Sequence, residues 1–335
     1  MYKLKLTAGY APKLPQRVTE KAIKQVKDEF QRIFSAALGL ERISAPVMVR
    51  AGSGINDDLN GVERPVRFDV PEAGFDVEIV HSLAKWKRMA LHQYGFVVGE
   101  GLYTDMNAIR RDDSMDNLHS VYVDQWDWEK VIGRGDRTVA FLQETVRRIV
   151  AALVKTKESI NALYPALTAS LCPETYFITS EELLQKYPDK TPKEREYEIV
   201  KAHKTVFIEK IGGKLSNGEK HDGRAPDYDD WELNGDLLFW HEVLGEPIEI
   251  SSMGIRVDET SLHTQLEQAG AIEREQYAYH QGILRCELPL TIGGGIGQSR
   301  LCMLMLEKLH IGEVQVSVWP SEMLEECRKA GVPIL

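Results

Sequence analysis

Apolar residues recur every three or four positions in several segments, which is the period of an amphipathic helix. Helices are predicted over residues 16–40, 83–94, 136–163 and 192–203, with two more beginning near Thr260 and Glu273. Gly39 closes the first of these helices, as glycine commonly does at a helix C-terminus. Thr191 begins a capping box with proline at the first helical position, which predicts the start of the helix over residues 192–203.

Shorter apolar runs, several of them alternating with polar side chains, predict β-strands. These runs cover residues 42–45, 74–80, 102–110, 118–129, 204–211, 233–240, 246–257 and 312–319. A short charged loop joins the strands over residues 102–110 and 118–129, which predicts an antiparallel hairpin. Pro46 follows the first strand and lacks a backbone donor, so that strand is expected at an edge or an interface. No internal repeat or linker is recognised, and one domain is expected over residues 1–335.

The helix predicted over residues 83–94 carries three cations around its apolar stripe. Lys85 and Arg88 are expected to point outward or obliquely, as charges on a solvated helix face do. Lys87 falls at the margin of the stripe. A lysine at such a margin can follow apolar surface with its aliphatic stem, so Lys87 is the better candidate for reaching into a pocket.

The stretch Gly293-Gly294-Gly295-Ile296-Gly297 lies between a predicted strand and an apolar helical segment that carries Arg300. Glycines allow another group to approach the backbone closely, because no Cβ intervenes. Helix N-termini attract anions, and arginine offers a fork suited to phosphate. The spacing matches neither the dinucleotide-binding motif nor the P-loop. From these residues alone, a nucleotide site and a purely structural glycine turn are equal alternatives.

Two further places can carry chemistry. Gln125 and Asp127 end one face of the strand over residues 118–129, where they either floor a polar pocket or reach solvent. Asp57 lies in a polar, glycine-rich loop over residues 51–61, and local chemistry alone favours an ordinary turn role for it. These alternatives stay open at the level of local pattern.

The composition is that of an ordinary globular protein, with 335 residues, 43% hydrophobic and 27% charged. The formal net charge of −10 argues against electrostatic binding of nucleic acid, although a local basic pocket can still hold a small anion. The four cysteines form no CxxC pair, so no structural zinc is expected. No signal peptide and no run of 18 apolar residues is recognised, so a cytoplasmic protein without membrane contact is expected.

The order of these elements resembles the three motifs of class II aminoacyl-tRNA synthetases. A helix leads into the strand before Pro46, a strand–loop–strand carries Arg110 before its loop, and a glycine-rich strand leads into the helix with Arg300. Longer runs resemble the ammonia-dependent aspartate–ammonia ligase family, and this resemblance covers nearly the whole chain. The runs are residues 81–88, 99–104, 119–129, 224–231 and 251–256.

The resemblance implies ATP-dependent synthesis of L-asparagine from L-aspartate and ammonia. A carboxylate does not react with ammonia at neutral pH, because its leaving group would be oxide. ATP would therefore convert the β-carboxylate to an acyl-adenylate and release pyrophosphate, after which ammonia would attack and AMP would leave. Cations would stabilise the charge that the first step places on the α-phosphate.

The resemblance also implies a nucleotide and metal site. The ATP-binding residues would be Arg110, Arg300, Gly294, Gly295 and Gly297. The Mg²⁺ ligands would be Glu249, Ser252 and Asp236, since Mg²⁺ prefers hard oxygen ligands. Regular strand alternation would put Glu249 and Ser252 on opposite faces, so a β-bulge near Ser251 is expected.

For the amino acid, the resemblance implies a set of charged and neutral hydrogen-bonding groups. Lys87 and Arg256 would pair with carboxylates, while Asp127 and Asp229 would hold the α-ammonium group. The neutral groups at this substrate site would be Ser82, Ser120 and Ser251. Gln125 would orient the activated carboxyl group, and Asp57 would bind ammonium and accept its proton, since ammonium is unreactive until deprotonated.

The implied fold is α+β, an antiparallel sheet flanked by helices as in the class II synthetase catalytic core. The first helix and the strand before Pro46 would form a homodimer interface. No oligonucleotide-binding domain is expected before the first motif, so nucleic acid is not an expected partner. One alternative is a paralogue of aspartyl- or asparaginyl-tRNA synthetases that adenylates aspartate for another acceptor. The other is an inactive sensor of asparagine or AMP, which the joint presence of Arg110, Glu249 and Arg300 disfavours.

Overall fold

The computed structural model describes residues 3–57 and 63–335. The helices are α1 (Gln16–Leu38), α2 (Ala84–Gln93), α3 (Val139–Leu163), α4 (Ser180–Lys186), α5 (Pro192–His203), α6 (Glu259–Ala269), α7 (Ala278–Leu284), α8 (Gln298–Met305) and α9 (Ser321–Lys329). The strands are β1 (Leu40–Arg42), β2 (Met48–Arg50), β3 (Arg67–Val70), β4 (Phe75–Ile79), β5 (Gly101–Ile109), β6 (Tyr122–Val131), β7 (Tyr176–Thr179), β8 (Thr205–Glu209), β9 (Asp229–His241), β10 (Glu246–Arg256) and β11 (Thr291–Gly297).

In the described ranges the strands form a large sheet of eight, ordered β1-β5-β6-β11-β10-β9-β8-β7, and a small sheet ordered β2-β4-β3. Neighbouring strands are antiparallel except at the two edges of the large sheet, where β1 is parallel to β5 and β7 is parallel to β8. The predicted hairpin is β5 and β6, which pair along their whole length. The predicted α+β fold, an antiparallel sheet flanked by helices, is therefore confirmed.

The main hydrophobic core lies between the large sheet and a helical layer in which α1 packs against α3. The alternation of β6 directs Trp126 and Trp128 into this core. The ring of Phe30 on α1 lies 4.9 Å from that of Trp126, and the ring of Phe34 lies 6.1 Å from that of Trp128, between centroids. Because side chains alternate along a strand, the odd-numbered side chains of β6 project from the opposite face of the sheet.

The strand predicted over residues 312–319 does not form, and that prediction is wrong. A 3₁₀ turn covers Ile311–Glu313, and residues 315–319 pair with no strand within the described part of the chain. Side-chain hydrogen bonds, and not strand pairing, hold this segment in place. The Ser317 hydroxyl lies 2.8 Å from the Ser120 hydroxyl, and the Gln315 amide donates to the Ser299 hydroxyl. The first predicted strand also differs, because β1 ends at Arg42, before Pro46.

The prediction that Lys85 and Arg88 point outward is also wrong, because both side chains are buried. The Lys85 ammonium lies 3.0 Å from the Asp227 carboxylate, and the Arg88 guanidinium donates to the carbonyl oxygens of Val257 and Pro289. Buried charges require such partners, and these partners lie far away in sequence. No helix among the described residues is both long and apolar enough to cross a membrane.

Candidate active site

A cleft of about 520 Å³ opens on the face of the large sheet that lies opposite α1. Strands β6, β9, β10 and β11 contribute to its lining, together with loop residues near positions 57, 113 and 224. The cleft brings together all but one of the residues predicted for the site. These are Asp57, Ser82, Lys87, Arg110, Ser120, Gln125, Asp127, Asp229, Asp236, Glu249, Ser252, Arg256, Gly294, Gly295, Gly297 and Arg300.

A β-bulge in β10 brings two of the predicted metal ligands to the cleft. Against β9, Glu249 pairs with Leu238 and Ser251 pairs with Leu237, so Ile250 is an extra residue in the ladder. One extra residue reverses the alternation, and Glu249 and Ser252 consequently both reach the cleft. The bulge predicted near Ser251 is therefore confirmed, and its extra residue is Ile250.

The same bulge turns Ser251 away from the cleft. Ser251 is 1% exposed and alternates with Met253 and Ile255, whose side chains belong to the hydrophobic core. The prediction that Ser251 binds the substrate amino acid is wrong, because its side chain lies on the other face of β10.

The glycines of β11 make room for polar side chains of β6. Gly293 lies opposite Glu129 and Gly295 lies opposite Asp127. A Cβ at Gly295 would overlap the Gln125 amide oxygen and would lie 2.7 Å from the Asp127 carboxylate. A Cβ at Gly293 would overlap the Glu129 carboxylate. The close approach that glycine permits here is thus used by the protein's own acidic and amide groups.

The cleft floor is a buried network of charges. The Arg256 guanidinium donates to Glu129 at 2.8 and 3.0 Å and also to Asp229. The Lys87 ammonium donates to the Gly294 carbonyl at 2.9 Å and lies 3.5 Å from Asp127. Burial lowers the pKa of Lys87, while Asp127 opposes this effect. Burial alone would raise the pKa of Glu129, but Arg256 and Lys87 hold this pKa below its ordinary value.

At the other end of the cleft, arginines contact the predicted metal ligands. The Arg224 guanidinium lies 2.7 Å from Asp236 and also donates to the Ser252 hydroxyl. The Arg300 guanidinium lies 3.7 Å from the Glu249 carboxylate. Burial raises the pKa of Asp236, and the Glu249 carboxylate raises it further. The Arg224 guanidinium opposes both effects. No group of three or more His, Cys, Asp or Glu side chains within the described ranges is arranged to hold a metal by itself.

Arg110 and Asp57 approach the cleft near the start of α2. The Arg110 guanidinium donates to the His81 carbonyl at 3.2 Å. Asp57 is 3% exposed, and its carbonyl lies 3.0 Å from His81 Nδ1. The Asn56 side chain accepts from the backbone N–H of both His81 and Asp57, so this part of the loop is attached to the start of the helix. Residues 58–61 of the predicted loop lie outside the described residues.

Comparison with known proteins assigns the family. The family model of aspartate–ammonia ligases matches residues 17–331. The chain belongs to the aspartate–ammonia ligase family. An aspartate–ammonia ligase of Clostridium tetani is 57% identical over 327 residues, which cover 97% of this chain and 96% of that protein. Another, of Clostridium perfringens, is 56% identical over 338 residues, with 100% of both chains covered.

Comparison with solved structures shows that this chain has the fold of asparaginyl-tRNA synthetases. The asparaginyl-tRNA synthetase of Entamoeba histolytica, in complex with asparaginyl-adenylate, superposes with a TM-score of 0.63 at 13% identity. That match covers 90% of this chain and 66% of the synthetase. The asparaginyl-tRNA synthetase of Pyrococcus horikoshii, complexed with asparaginyl-adenylate, gives a TM-score of 0.60 at 17% identity, covering 90% and 70% of the two chains.

Two charged residues at the cleft were missed from the sequence: Glu129, which is buried beneath the cleft floor, and Arg224, which lines the cleft. Glu129 continues the alternation of Gln125 and Asp127 along β6, so the strand period could have identified it. Arg224 lies in an irregular, charge-dense segment without periodicity, and only the resemblance of residues 224–231 to the family could have indicated it.

Proposed function

We propose that this chain joins ammonia to the β-carboxylate of L-aspartate at the expense of ATP and releases L-asparagine, AMP and pyrophosphate. The observation that carries the proposal is that family membership extends over residues 17–331, the span that holds every residue lining the cleft. The cleft also contains cations for carboxylates and phosphates and carboxylates for ammonium groups, as this reaction requires.

The amino acid would lie over β6 and β9. Asp127 and Asp229 both line the cleft and are both buried, so they can hold an α-ammonium group with charge-assisted hydrogen bonds. Lys87 and Arg256 would face the carboxylates of aspartate, with Ser82 and Ser120 as neutral partners. Because Arg256 is already paired with Glu129 and Asp229, its position is fixed before the substrate arrives.

Adenylation would occur between Arg110 and Arg300. In this step a β-carboxylate oxygen bonds to the α-phosphorus as the bond to pyrophosphate breaks, and negative charge accumulates on the phosphate oxygens. Arg110 would stabilise the α-phosphate and the attacking carboxylate, while Arg300 would contact the outer part of the nucleotide beside Gly294, Gly295 and Gly297. Two solved synthetases of the same fold are complexes with asparaginyl-adenylate, and this supports an adenylate as the intermediate.

The acidic lining argues for a divalent cation with the nucleotide. Among the described lining residues, ten carboxylates face only five Lys or Arg side chains. The carboxylates are Asp57, Glu63, Asp113, Asp116, Asp124, Asp127, Asp222, Asp229, Asp236 and Glu249. Asp236, Glu249 and Ser252 offer hard oxygens, which fit a partly hydrated Mg²⁺. Such an ion, when bound, would neutralise phosphate charge.

The amination step would use Asp57 and Gln125. Ammonium must lose a proton before its nitrogen can attack, and the buried Asp57 carboxylate would take that proton. Nitrogen then bonds to the acyl carbon, and the carbon–oxygen bond to AMP breaks. Burial, followed by the nearby Asp57 and Asp229 carboxylates, raises the pKa of Tyr228. Asp57, Tyr228 and Asp229 all line the same cleft, so the ammonia would lie beside the amino acid.

We further propose one domain over residues 1–335, a homodimer formed through α1 and β1, and a cytoplasmic location. The main core takes side chains from Leu14 through Val332, which supports a single domain. Val47 and Met48, which follow β1, are apolar and exposed, which supports a partner at this edge. Light scattering of the purified protein tests the dimer.

The test of the proposed activity is incubation with aspartate, ATP, Mg²⁺ and ammonium. The expected products are asparagine, AMP and pyrophosphate in equal amounts. Formation of ADP and orthophosphate, or a requirement for glutamine, would overturn the proposal. A paralogue that serves another acceptor would exchange pyrophosphate into ATP with aspartate but would yield no asparagine.

A further inference from the structure

Arg224 occupies the position between the amino-acid and metal parts of the cleft. One terminal nitrogen donates to the Ser252 hydroxyl, and the other lies 2.7 Å from Asp236. Its Nε lies 3.6 Å from Asp229, beyond hydrogen-bond reach. The side chain is only 9% exposed, and this Nε is buried without a hydrogen-bond partner in the described ranges.

The oxygens proposed to hold a divalent cation therefore already have cationic partners. Arg224 contacts Asp236 and Ser252, and Arg300 lies 3.7 Å from Glu249. A guanidinium held against these oxygens places its positive charge beside them, so it repels a divalent cation and lowers the affinity of the site for Mg²⁺. The guanidinium and the metal ion thus compete for the negative charge of the same site.

We propose that Arg224 neutralises these oxygens in the nucleotide-free protein and excludes free divalent cations until a nucleotide arrives. This inference rests on the proposed function, since it concerns the order in which metal and nucleotide enter the same site. When the phosphates arrive, the guanidinium exchanges its carboxylate partner for a phosphate oxygen, and Asp236 and Ser252 become available to the metal.

The exchange depends on what Arg224 can bind after displacement. A free metal ion would leave the buried guanidinium with only Asp229, 3.6 Å from its Nε, as a charge partner and without a hydrogen bond, which is unfavourable. A phosphate supplies that partner, and guanidinium binds phosphate well in a bidentate manner. Residues 222–225 all line the cleft, so Arg224 can release Asp236 and remain beside the bound nucleotide. Metal and nucleotide are therefore expected to bind with strong positive cooperativity.

The experiment is calorimetric titration with Mn²⁺ alone, without nucleotide, and it requires no turnover. We expect weak binding to the wild-type protein and at least about tenfold tighter binding to Arg224→Met, which retains length but lacks charge. Arg224→Lys keeps the charge and is the matched control, which should bind Mn²⁺ about as weakly as the wild type. Adding Asp236→Asn to Arg224→Met should remove the gained affinity, which locates the site.

Several outcomes would overturn the proposal. Tight, stoichiometric Mn²⁺ binding to the wild-type protein would overturn it. The proposal would also fail if Arg224→Met bound Mn²⁺ no more tightly than the wild type does. Arg224→Gln serves as a second neutral replacement if the methionine variant does not fold, as judged by circular dichroism. Mn²⁺ binding is measured without turnover. A failure of the proposal about Arg224 is therefore distinguishable from a failure of the protein to form asparagine.

Discussion

Replacing the buried Glu129 by glutamine removes one charge from the cleft floor while keeping the shape of the side chain. Glu129 is fully buried, accepts from Arg256 at 2.8 and 3.0 Å, accepts from the Thr291 hydroxyl at 2.6 Å, and lies 4.0 Å from the Lys87 ammonium. Removing one partner of a buried ion pair costs about 3–5 kcal/mol. Glutamine retains one accepting oxygen and Arg256 retains Asp229, so we expect a loss of about 2–4 kcal/mol.

The assay is differential scanning calorimetry of Glu129→Gln beside the wild type. At about 2.1 cal/mol/K of unfolding entropy per residue, a loss of this size in a chain of 335 residues corresponds to a fall in Tm of roughly 3–6 °C. The matched control is Glu325→Gln on α9, since Glu325 pairs with Arg328 at the surface. We expect that control to change stability by less than about 0.5 kcal/mol, because surface ion pairs contribute little. Equal stability of the two variants would refute the buried network described here.

The pH dependence of the same comparison gives an independent check. Arg256 and Lys87 hold the pKa of Glu129 below its ordinary value of 4.5, against the effect of burial. A carboxylate with a lowered folded-state pKa contributes stability that is fully present above the unfolded-state pKa and is lost as pH falls through the folded-state pKa. The stability difference between wild type and Glu129→Gln should therefore be constant near neutral pH and shrink in acid. A difference that grows on acidification would contradict this sign.

Three further predictions concern catalysis. Arg110→Ala should reduce aspartate-dependent exchange of pyrophosphate into ATP by at least about 10²-fold, because it removes a preorganised cation at the α-phosphate; unchanged exchange would remove Arg110 from the adenylation site. Asp57→Asn should slow asparagine formation by at least about tenfold while leaving pyrophosphate exchange largely intact, and equal loss in both assays would contradict its role as the proton acceptor. Gly295→Ala should raise the KM for aspartate at least about tenfold, because its Cβ would displace Gln125 and Asp127. The control is Gly213→Ala, which should behave as the wild type because its Cβ would meet no atom within 4 Å. Similar kinetics of the two variants would contradict the tight packing at Gly295.

Local sequence signals predicted the parts of this molecule that local physics determines. The capping box at Thr191 predicted α5 with its observed bounds, and Gly39 adopts the left-handed conformation at the end of α1. Strand alternation predicted that Gln125 and Asp127 share one face of β6, and the structure shows that this face lines the cleft. The resemblance assigned Glu249 and Ser252 to one metal site, and their three-residue spacing then required a bulge to place both on one face.

The remaining features depend on partners that are distant in sequence. Lys85 is buried because it meets Asp227, which is 142 positions away, and Arg88 meets the Pro289 carbonyl, 201 positions away. No helical period contains that information, so a solvated face was the reasonable prediction for both cations. Arg224 was missed for the same reason, since its contacts with Asp236 and Ser252 arise only when an irregular segment folds across two strands.

The same limitation explains two predictions that failed. The alternation over residues 312–319 is typical of a strand, but no neighbouring strand in the described part of the chain pairs with it. Ser251 shares its short sequence with residues of the site, yet the extra residue at position 250 directs its side chain into the core. Strand pairing and side-chain direction near a bulge are properties of the sheet, which a local pattern does not encode.

The central claim is that this cleft activates the β-carboxylate of aspartate by adenylation before nitrogen arrives. The most direct measurement uses aspartate labelled with heavy oxygen in its β-carboxylate, followed by mass spectrometry of the nucleotide product. If adenylation activates the carboxylate, one labelled oxygen is transferred to the phosphate of AMP for each asparagine formed. Label recovered in orthophosphate together with ADP, or AMP formed without label, would contradict it.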